Sequence, residues 1–280
     1  MENLRALSYD IRKDVADIIM AGKTGHIGGD MSVLDILITL YYREMNISPQ
    51  NAEDPDRDLF VLSKGHAVEA LYGVLAARGF LDIEEVKAGF SRFKTKYIGH
   101  PNNKLPGIEM NSGSLGHGLS VCTGMALAAR MDGRRSRVYT VMGDGELAEG
   151  SVWEGAMAAG HYKLDNLCAV VDRNRLQISG CTENVMTQDS QEERWTAFGW
   201  HVISVKDGND IEALSRAFQE ARSVKGKPSA IIAYTIKGFG SPIMENQAGW
   251  HHKVPSQEEY RQIVADFQKR KEECIHESDS

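Results

Sequence analysis

Short apolar segments with the character of strands alternate with helical segments along most of the chain. The predicted strands span 59–62, 138–142, 167–171, 200–205 and 229–234. Helices are predicted around them, at 4–21, from 32, between 63 and 79, and at 84–90, 119–130, 152–159, 211–224 and 257–273. Parallel strands need such crossover helices between them. The pattern therefore predicts an α/β fold, with a mostly parallel sheet flanked by helices on both faces.

A few polar residues and glycines indicate where individual helices begin and end. The apolar stripe of the first helix stops before Gly22. Ser32, with Asp35 three residues later, has the spacing of a capping box and predicts that a second helix begins there. Ser63 is in the same way a candidate cap for the helix that Gly79 ends.

Size, charge and cysteine usage narrow the class of protein. The 280 residues contain no internal repeat or linker, so we expect one domain over residues 1–280. A net charge of −7 argues against nucleic acid or an anionic membrane surface as a partner. Four cysteines without a Cys-x-x-Cys pair, and the lack of a leader or of a run of roughly 18 apolar residues, predict a cytoplasmic protein.

Two polar side chains follow neighbouring predicted strands at the points where those strands end. Asp144 stands between Gly143 and Gly145 after the strand 138–142, and Asn174 follows the next strand. The carboxyl ends of parallel strands meet at one edge of a sheet, where ligands bind and a helix N-terminus favours phosphate. Carboxylate and amide oxygens suit a divalent cation. Taken singly, Asp144-Gly145 also fits a hairpin turn and Asn174 a strand-end turn, but together they predict a magnesium diphosphate clamp.

Further motifs resemble those of transketolase, an enzyme that uses thiamine diphosphate. The Gly143-Asp144-Gly145 to Asn174 pattern matches the family's cofactor motif, and the other matches, in family order, are His26, 63–67, 99–101, 113–116, 146–154, Lys237 and 250–251. They fill the diphosphate-binding domain of the thiamine-diphosphate-binding fold. The chain ends before the family's pyrimidine-binding and C-terminal domains would begin. It therefore resembles the N-terminal subunit of a split transketolase.

The resemblance implies a role for each matching residue. Asp144, Asn174 and the carbonyl of Leu176 would bind the metal, which is Mg²⁺ or else Ca²⁺ or Mn²⁺. The diphosphate would be surrounded by the Gly145 amide, Lys64, His66, Lys237 and His251, with Gly143 and Glu146 beside it. Gly113, Ser114 and Leu115 would border the aminopyrimidine. Glu149 matches a buried carboxylate that links paired active sites. The catalytic histidines would be His26, His66, His100 and His251, of which His26 and His100 face the sugar.

Four positions depart from the usual family pattern. Ile27 follows His26 where proline is common, Ser114 stands where many relatives have proline, and His117 replaces a common glutamine. His252 occupies a usual glycine position directly after His251, so the sequence leaves open which imidazole meets the diphosphate. These departures concern substrate contacts more than the cofactor clamp.

The resemblance implies transfer of a two-carbon ketol unit from a ketose phosphate to an aldose or aldose phosphate, as in pentose phosphate metabolism. Because the family's pyrimidine-binding domain is missing, we expect a second subunit that carries it, in an α2β2 heterotetramer. Two alternatives remain open. One is a subunit of another thiamine-diphosphate enzyme, of the 2-oxo acid dehydrogenase or deoxyxylulose-phosphate synthase type, and the other is a noncatalytic cofactor-binding subunit.

Overall fold

Five parallel strands form the central sheet of the protein. The computed structural model describes residues 3–187 and 190–278. In chain order the strands are β1 (Leu59–Leu62), β2 (Val138–Gly143), β3 (Leu167–Asp172), β4 (Leu176–Gln177), β5 (Gly180–Cys181), β6 (His201–Val205) and β7 (Ser229–Ala233). The main sheet has the order β1-β2-β3-β7-β6, and β4 and β5 form a separate antiparallel hairpin. All five predicted strands are thus confirmed, and all their pairings are parallel.

Helices cover both faces of this sheet. They are α1 (Leu4–Gly22), α2 (Ile27–Thr39), α3 (Val68–Ala77), α4 (Ile83–Gly89), α5 (Gly118–Met131), α6 (Gly150–His161), α7 (Thr182–Val185), α8 (Gln191–Ala197), α9 (Ile211–Ser223) and α10 (Gln257–Ser278). One hydrophobic core takes Phe60 and Leu62 from β1, and the core on the opposite face takes Val61. The alternation along β1 divides its side chains between two layers, which confirms the predicted fold class.

The predicted start of the second helix is wrong by five residues. α2 begins at Ile27, and Gly28 and Gly29 lie in its first turn. The Ser32 hydroxyl, which was expected to cap the helix, instead donates to the carbonyl of Gly29 at 3.0 Å and to Asp172 at 2.6 Å. Two adjacent glycines disfavour a helix on propensity alone, but this turn is fully buried, and close packing has overridden that preference.

Ser63 also has a different role from the one its position indicates. Its hydroxyl does not cap α3, which a short 3-10 turn over 65–67 precedes. It instead donates to Glu146 and accepts the backbone N–H of Gly118, the first residue of α5, at 3.2 Å. The side chain therefore joins the end of β1 to the segment that follows β2. Within residues 3–187 and 190–278, no helix is long and apolar enough to cross a membrane.

Candidate active site

A cavity of about 350 Å³ opens at the carboxyl edge of the sheet. Its walls come from segments far apart in sequence, because the ends of β1, β2, β3 and β7 and the start of α2 meet there. The lining residues are His26, Lys64, His66, Gly113, Leu115, Gly143, Asp144, Gly145, Glu146, Asn174, Leu176, Gln177, Ile178, Ser179, Lys237 and His251. Most of the site residues predicted from the sequence are therefore brought together.

Asp144 and Asn174 both line the cavity, and backbone N–H groups hold their side-chain oxygens. The Asp144 carboxylate accepts the backbone N–H of Gly145 at 2.9 Å and that of Arg175 at 2.5 Å. Asn174 accepts the N–H of Leu176 at 3.1 Å through its amide oxygen and donates to Ser32 at 3.3 Å. Burial, with the nearby Asp172 carboxylate, raises the pKa of Asp144 to about 6. A cation beside this carboxylate would stabilise its charged form.

Lys64 and Asp172 form a buried ion pair beneath the cavity. Their side chains are 2.5 Å apart and almost fully shielded from solvent. Asp172 also accepts hydrogen bonds from Ser32 and Thr235, and Lys64 donates to the Gly29 carbonyl at 3.1 Å. In the sequence, Asp172 stands out only as the end of a strand. The sequence offers one indication of its role: Asp172 is a charged residue at the end of an apolar strand. A charged side chain needs a partner when it is buried.

Glu146 lines the cavity, but its carboxylate is occupied by contacts within the chain. It accepts hydrogen bonds from the Ser63 hydroxyl and from the backbone N–H groups of Gly116 and Gly143, at 2.8 and 3.1 Å. These bonds join the ends of β1 and β2 to the loop before α5. Glu146 therefore fixes the walls of the cavity, whereas the family resemblance implies a place for it beside the cofactor.

Histidines and lysines form the opposite wall. The ring centroids of His26, His66 and His251 lie 5.2 to 5.7 Å from one another. Lys237 Nζ lies 3.0 Å from His251 Nδ1. The ring of His252 instead lies 4.6 Å from that of His26, outside the cavity lining. Of the two neighbouring imidazoles, His251 lines the cavity and His252 does not.

Lys237 and the histidines of this wall have lowered pKa values, because they are buried and lie close to other positive groups. Burial, followed by the field of Lys64, lowers the pKa of Lys237 to about 8. Burial and Lys237 lower the pKa of His251 to about 3, and burial with His252 lowers that of His26 to about 4. Burial and Lys64 also hold the pKa of His66 well below its usual value. An anion placed here would favour the charged forms of these groups.

The donor set fits a divalent cation that is bound together with an anion. Within the described ranges 3–187 and 190–278, no three His, Cys, Asp or Glu side chains group as a metal site. A cation at Asp144 and Asn174 would therefore complete its shell with backbone and ligand oxygens, as Mg²⁺ does when it binds phosphates. Lys64 and Lys237 supply the complementary positive charge. The residues present fit a metal diphosphate.

Three expected site residues do not line the cavity. His100 lies at its rim, where its ring packs so closely on Gly113 that a Cβ at that glycine would come within 2.5 Å of it. Ser114 is exposed on the same loop. Glu149, which the resemblance implies is buried, is exposed in this chain directly before α6.

A parallel α/β sheet with a metal diphosphate site at its carboxyl edge is the architecture of a diphosphate-cofactor-binding domain. The family model described as "Transketolase, thiamine diphosphate binding domain" matches residues 4–270. The chain therefore belongs to the transketolase family.

Two relatives have similar lengths to this chain. An apulose-4-phosphate transketolase subunit of Phocaeicola vulgatus is 47% identical over 278 residues, which cover 99% of this chain and 98% of the relative. The 6-deoxy-6-sulfo-D-fructose transketolase subunit of a Clostridium species is 41% identical, over 92% of this chain and 94% of the relative.

Solved transketolases have the same fold but are longer. Transketolase from Campylobacter jejuni superposes with a TM-score of 0.89 at 28% identity, over 98% of this chain and 46% of that protein. Transketolase from Leishmania mexicana gives a TM-score of 0.84 at 30% identity, over 99% of this chain and 46% of that protein. The chain spans about half the length of these enzymes.

Proposed function

We propose that this chain is the diphosphate-binding subunit of a two-chain transketolase. It would transfer a two-carbon ketol unit from a ketose phosphate to an aldose or aldose phosphate. The observation that carries the proposal is the juxtaposition, in one cavity, of the Asp144 and Asn174 oxygen ligands with the cationic wall of Lys64 and Lys237. The names of the two relatives of similar length support the reaction type.

Different residues of the cavity would bind different parts of the cofactor. Asp144, Asn174 and the Leu176 carbonyl would bind Mg²⁺, or Ca²⁺ or Mn²⁺ in its place. The Gly145 amide, Lys64, His66, Lys237 and His251 would bind the diphosphate, and Gly113 and Leu115 would lie against the aminopyrimidine. Bound thiamine diphosphate would supply the electron sink for cleavage of the carbon–carbon bond.

His26 and His100 would face the sugar substrate. The pKa of His26 is lowered to about 4 by burial and His252, and burial lowers the pKa of His100 as well. Both imidazoles are therefore neutral at pH 7, so each ring has one nitrogen that donates and one that accepts. Such rings can bind sugar hydroxyls and pass a proton between them without carrying charge into the cavity.

The mouth of the cavity has the character of a contact surface. Ile178, 76% exposed, and Leu115, 37% exposed, are apolar residues in the lining of the cavity. We expect a second subunit, carrying the pyrimidine-binding domain, to cover them in an α2β2 heterotetramer. Glu149, exposed on this chain, would become buried and link the paired sites in that assembly. Cys122, Cys168 and Cys181 are free thiols, which suits a cytoplasmic location.

Copurification with the product of a neighbouring gene tests the proposal. Ketol transfer would be measured with magnesium and thiamine diphosphate, for the chain alone and for the complex. We expect turnover by the complex only. Robust turnover by the isolated chain would contradict the two-subunit proposal. Product analysis separates ketol transfer from the chemistry of other thiamine-diphosphate enzymes, and full activity of a His100→Ala complex would indicate a noncatalytic subunit.

The metal site can be tested by substitution of Asp144. We expect Asp144→Ala to abolish metal-dependent cofactor binding by the complex, because the substitution removes the charged ligand of the cation. Asp10→Ala is a matched control, since Asp10 pairs with Lys271 on the surface, away from the cavity. Calorimetric titration with thiamine diphosphate, with and without magnesium, measures the effect. Unchanged affinity in Asp144→Ala would exclude this assignment.

A further inference from the structure

Two carboxylic acids are buried together behind the cavity wall. Asp30 in α2 and Glu69 in the first turn of α3 are both 0% exposed, and each lies close enough to shift the pKa of the other. Asp30 Oδ2 and both carboxyl oxygens of Glu69 are buried without a hydrogen-bond donor among the described residues. Asp30 also accepts the backbone N–H of Ala70 at 3.0 Å. Neither residue has a place in the cofactor clamp or in the motifs recognised in the sequence.

The nearby lysines are engaged with other groups. Lys64 pairs with Asp172, and Lys237 contacts His251. Two carboxyl groups can hydrogen-bond to each other only when one of them carries a proton. Burial raises the pKa of both acids, and the proximity of Asp30 raises that of Glu69 further. The Ala70 N–H and the fields of Lys64 and Lys237 favour charge on Asp30, whereas the backbone N–H of His26 favours charge on Glu69.

Charged and titratable groups from several neighbouring segments surround Asp30 and Glu69. Lys64 and Lys237 act on Asp30, and Tyr72 of α3 lies in the field of Glu69. The backbone N–H of His26 faces the Glu69 carboxyl. The positive charges of Lys64 and Lys237 would partly balance a negative charge on the pair.

The loop that carries His26 packs directly on Glu69 of this pair. Gly25 has a φ of +148°, and a Cβ at this position would come within 2.7 Å of Glu69 Oε1. Only glycine allows the backbone this close approach. The next residue is His26, whose ring forms part of the cavity wall. A change in the carboxyl of Glu69 would therefore move the segment that orients this ring.

We propose that Asp30 and Glu69 share one proton and act together as positioning residues for His26. As a singly charged pair they would form the support on which the Gly25–His26 backbone rests. The inference about orientation rests on the proposed function, in which His26 faces the sugar, whereas the shared proton does not depend on it.

Infrared difference spectroscopy of the full chain at pH 7 tests the shared proton. A protonated carboxyl absorbs in its own C=O stretching region, so we expect the wild-type chain to show a band there that disappears in Glu69→Gln. Glu44→Gln is the matched control, because Glu44 is likewise buried but forms an ion pair with Arg222. The control should keep the band. A Glu69→Gln spectrum with the band intact, or a wild type without it, would overturn the proposal.

Kinetics of the complex test the positioning role. Glu69→Gln can still donate to Asp30 and should keep the wild-type KM for the ketose, within about twofold. Glu69→Leu cannot, and we expect about a tenfold or greater rise in that KM with a smaller change in kcat, because a small misplacement of a positioned group is costly. Equal KM values for the two variants would contradict the positioning role. A wild-type complex without ketol transfer would instead overturn the proposed function and leave the infrared result standing.

Discussion

Lys237 shows how the charge of a single side chain depends on its surroundings. It is almost fully buried, close to the positive charge of Lys64 and in contact with His251. Burial and Lys64 lower its pKa to about 8, so its charge changes near physiological pH. An anion in the cavity would raise that pKa, and by linkage the anion binds better when Lys237 is protonated.

Anion binding should therefore weaken as the pH rises through 8. Between pH 7 and pH 9 the free Lys237 goes from mostly charged to mostly neutral, and we expect the affinity for magnesium pyrophosphate to fall about tenfold on this account. Calorimetric titration of the chain measures it. We expect Lys237→Gln to bind magnesium pyrophosphate less tightly at pH 7. Its remaining pH dependence measures the change in affinity that comes from ionisation of the ligand alone. An equal pH dependence in both proteins would contradict the assignment of the effect to Lys237.

Helix α3 positions a second loop of the site. The Tyr72 hydroxyl donates to the Ile98 carbonyl at 2.9 Å and approaches the His100 carbonyl at 3.4 Å. Glu69, one turn earlier, supports the His26 loop. One element thus supports both histidines that the family resemblance assigns to the sugar, because residues three apart share a helix face.

Loss of the Tyr72 hydroxyl should loosen the 98–100 loop. We expect Tyr72→Phe to lower the free energy of unfolding by about 1 kcal/mol, the usual value of one hydrogen bond, and to speed amide hydrogen exchange in this loop. Tyr260→Phe is the control, since its hydroxyl bonds to Asp17 between α10 and α1. It should show a similar loss of stability but no change in the loop. Equal exchange rates in the loop for both variants would show that the Tyr72 hydroxyl does not hold the 98–100 loop in place.

At the scale of the whole molecule, the cavity is open at an apolar edge. Ile178 extends from the turn between β4 and β5, where no residue of the described chain covers most of its side chain. A partner that covers it would stabilise the complex through burial of apolar surface. The proposed second subunit is the natural occupant, since the solved transketolases extend well beyond the part that this chain matches.

Charge at Ile178 should weaken the complex without affecting the fold of this chain. We expect Ile178→Asp to raise the dissociation constant for the partner subunit about tenfold or more, because burying an unpaired carboxylate is costly. Its melting temperature should stay unchanged, since the side chain is 76% exposed. Ile275→Asp on α10, 40% exposed, serves as the control. Equal affinities for the partner would show that Ile178 lies outside the interface.

The fold and most of the cavity could be predicted because their signals are local. Each strand of the sheet is a short apolar run, and Asp144 and Asn174 stand one crossover helix apart at strand ends. The start of α2 could not be predicted, since Gly28 and Gly29 are poor helix formers that only tertiary packing holds in a helix. The exposure of Glu149 could not be predicted either, because it depends on which segments of the folded chain surround it.

The sequence by itself determined the alternation of strands and helices, and hence the sheet edge at which Asp144 and Asn174 meet. Periodicity and strand ends are properties of neighbouring residues, so they can be read along the chain. The tertiary structure decided the partner of the buried Lys64 charge, which is Asp172, 108 positions away. It also brought Asp30 and Glu69 together in the interior. The fold placed His251, and not His252, in the lining of the cavity. Buried charged groups require partners wherever the fold brings them together, and these partners lie far away in the sequence.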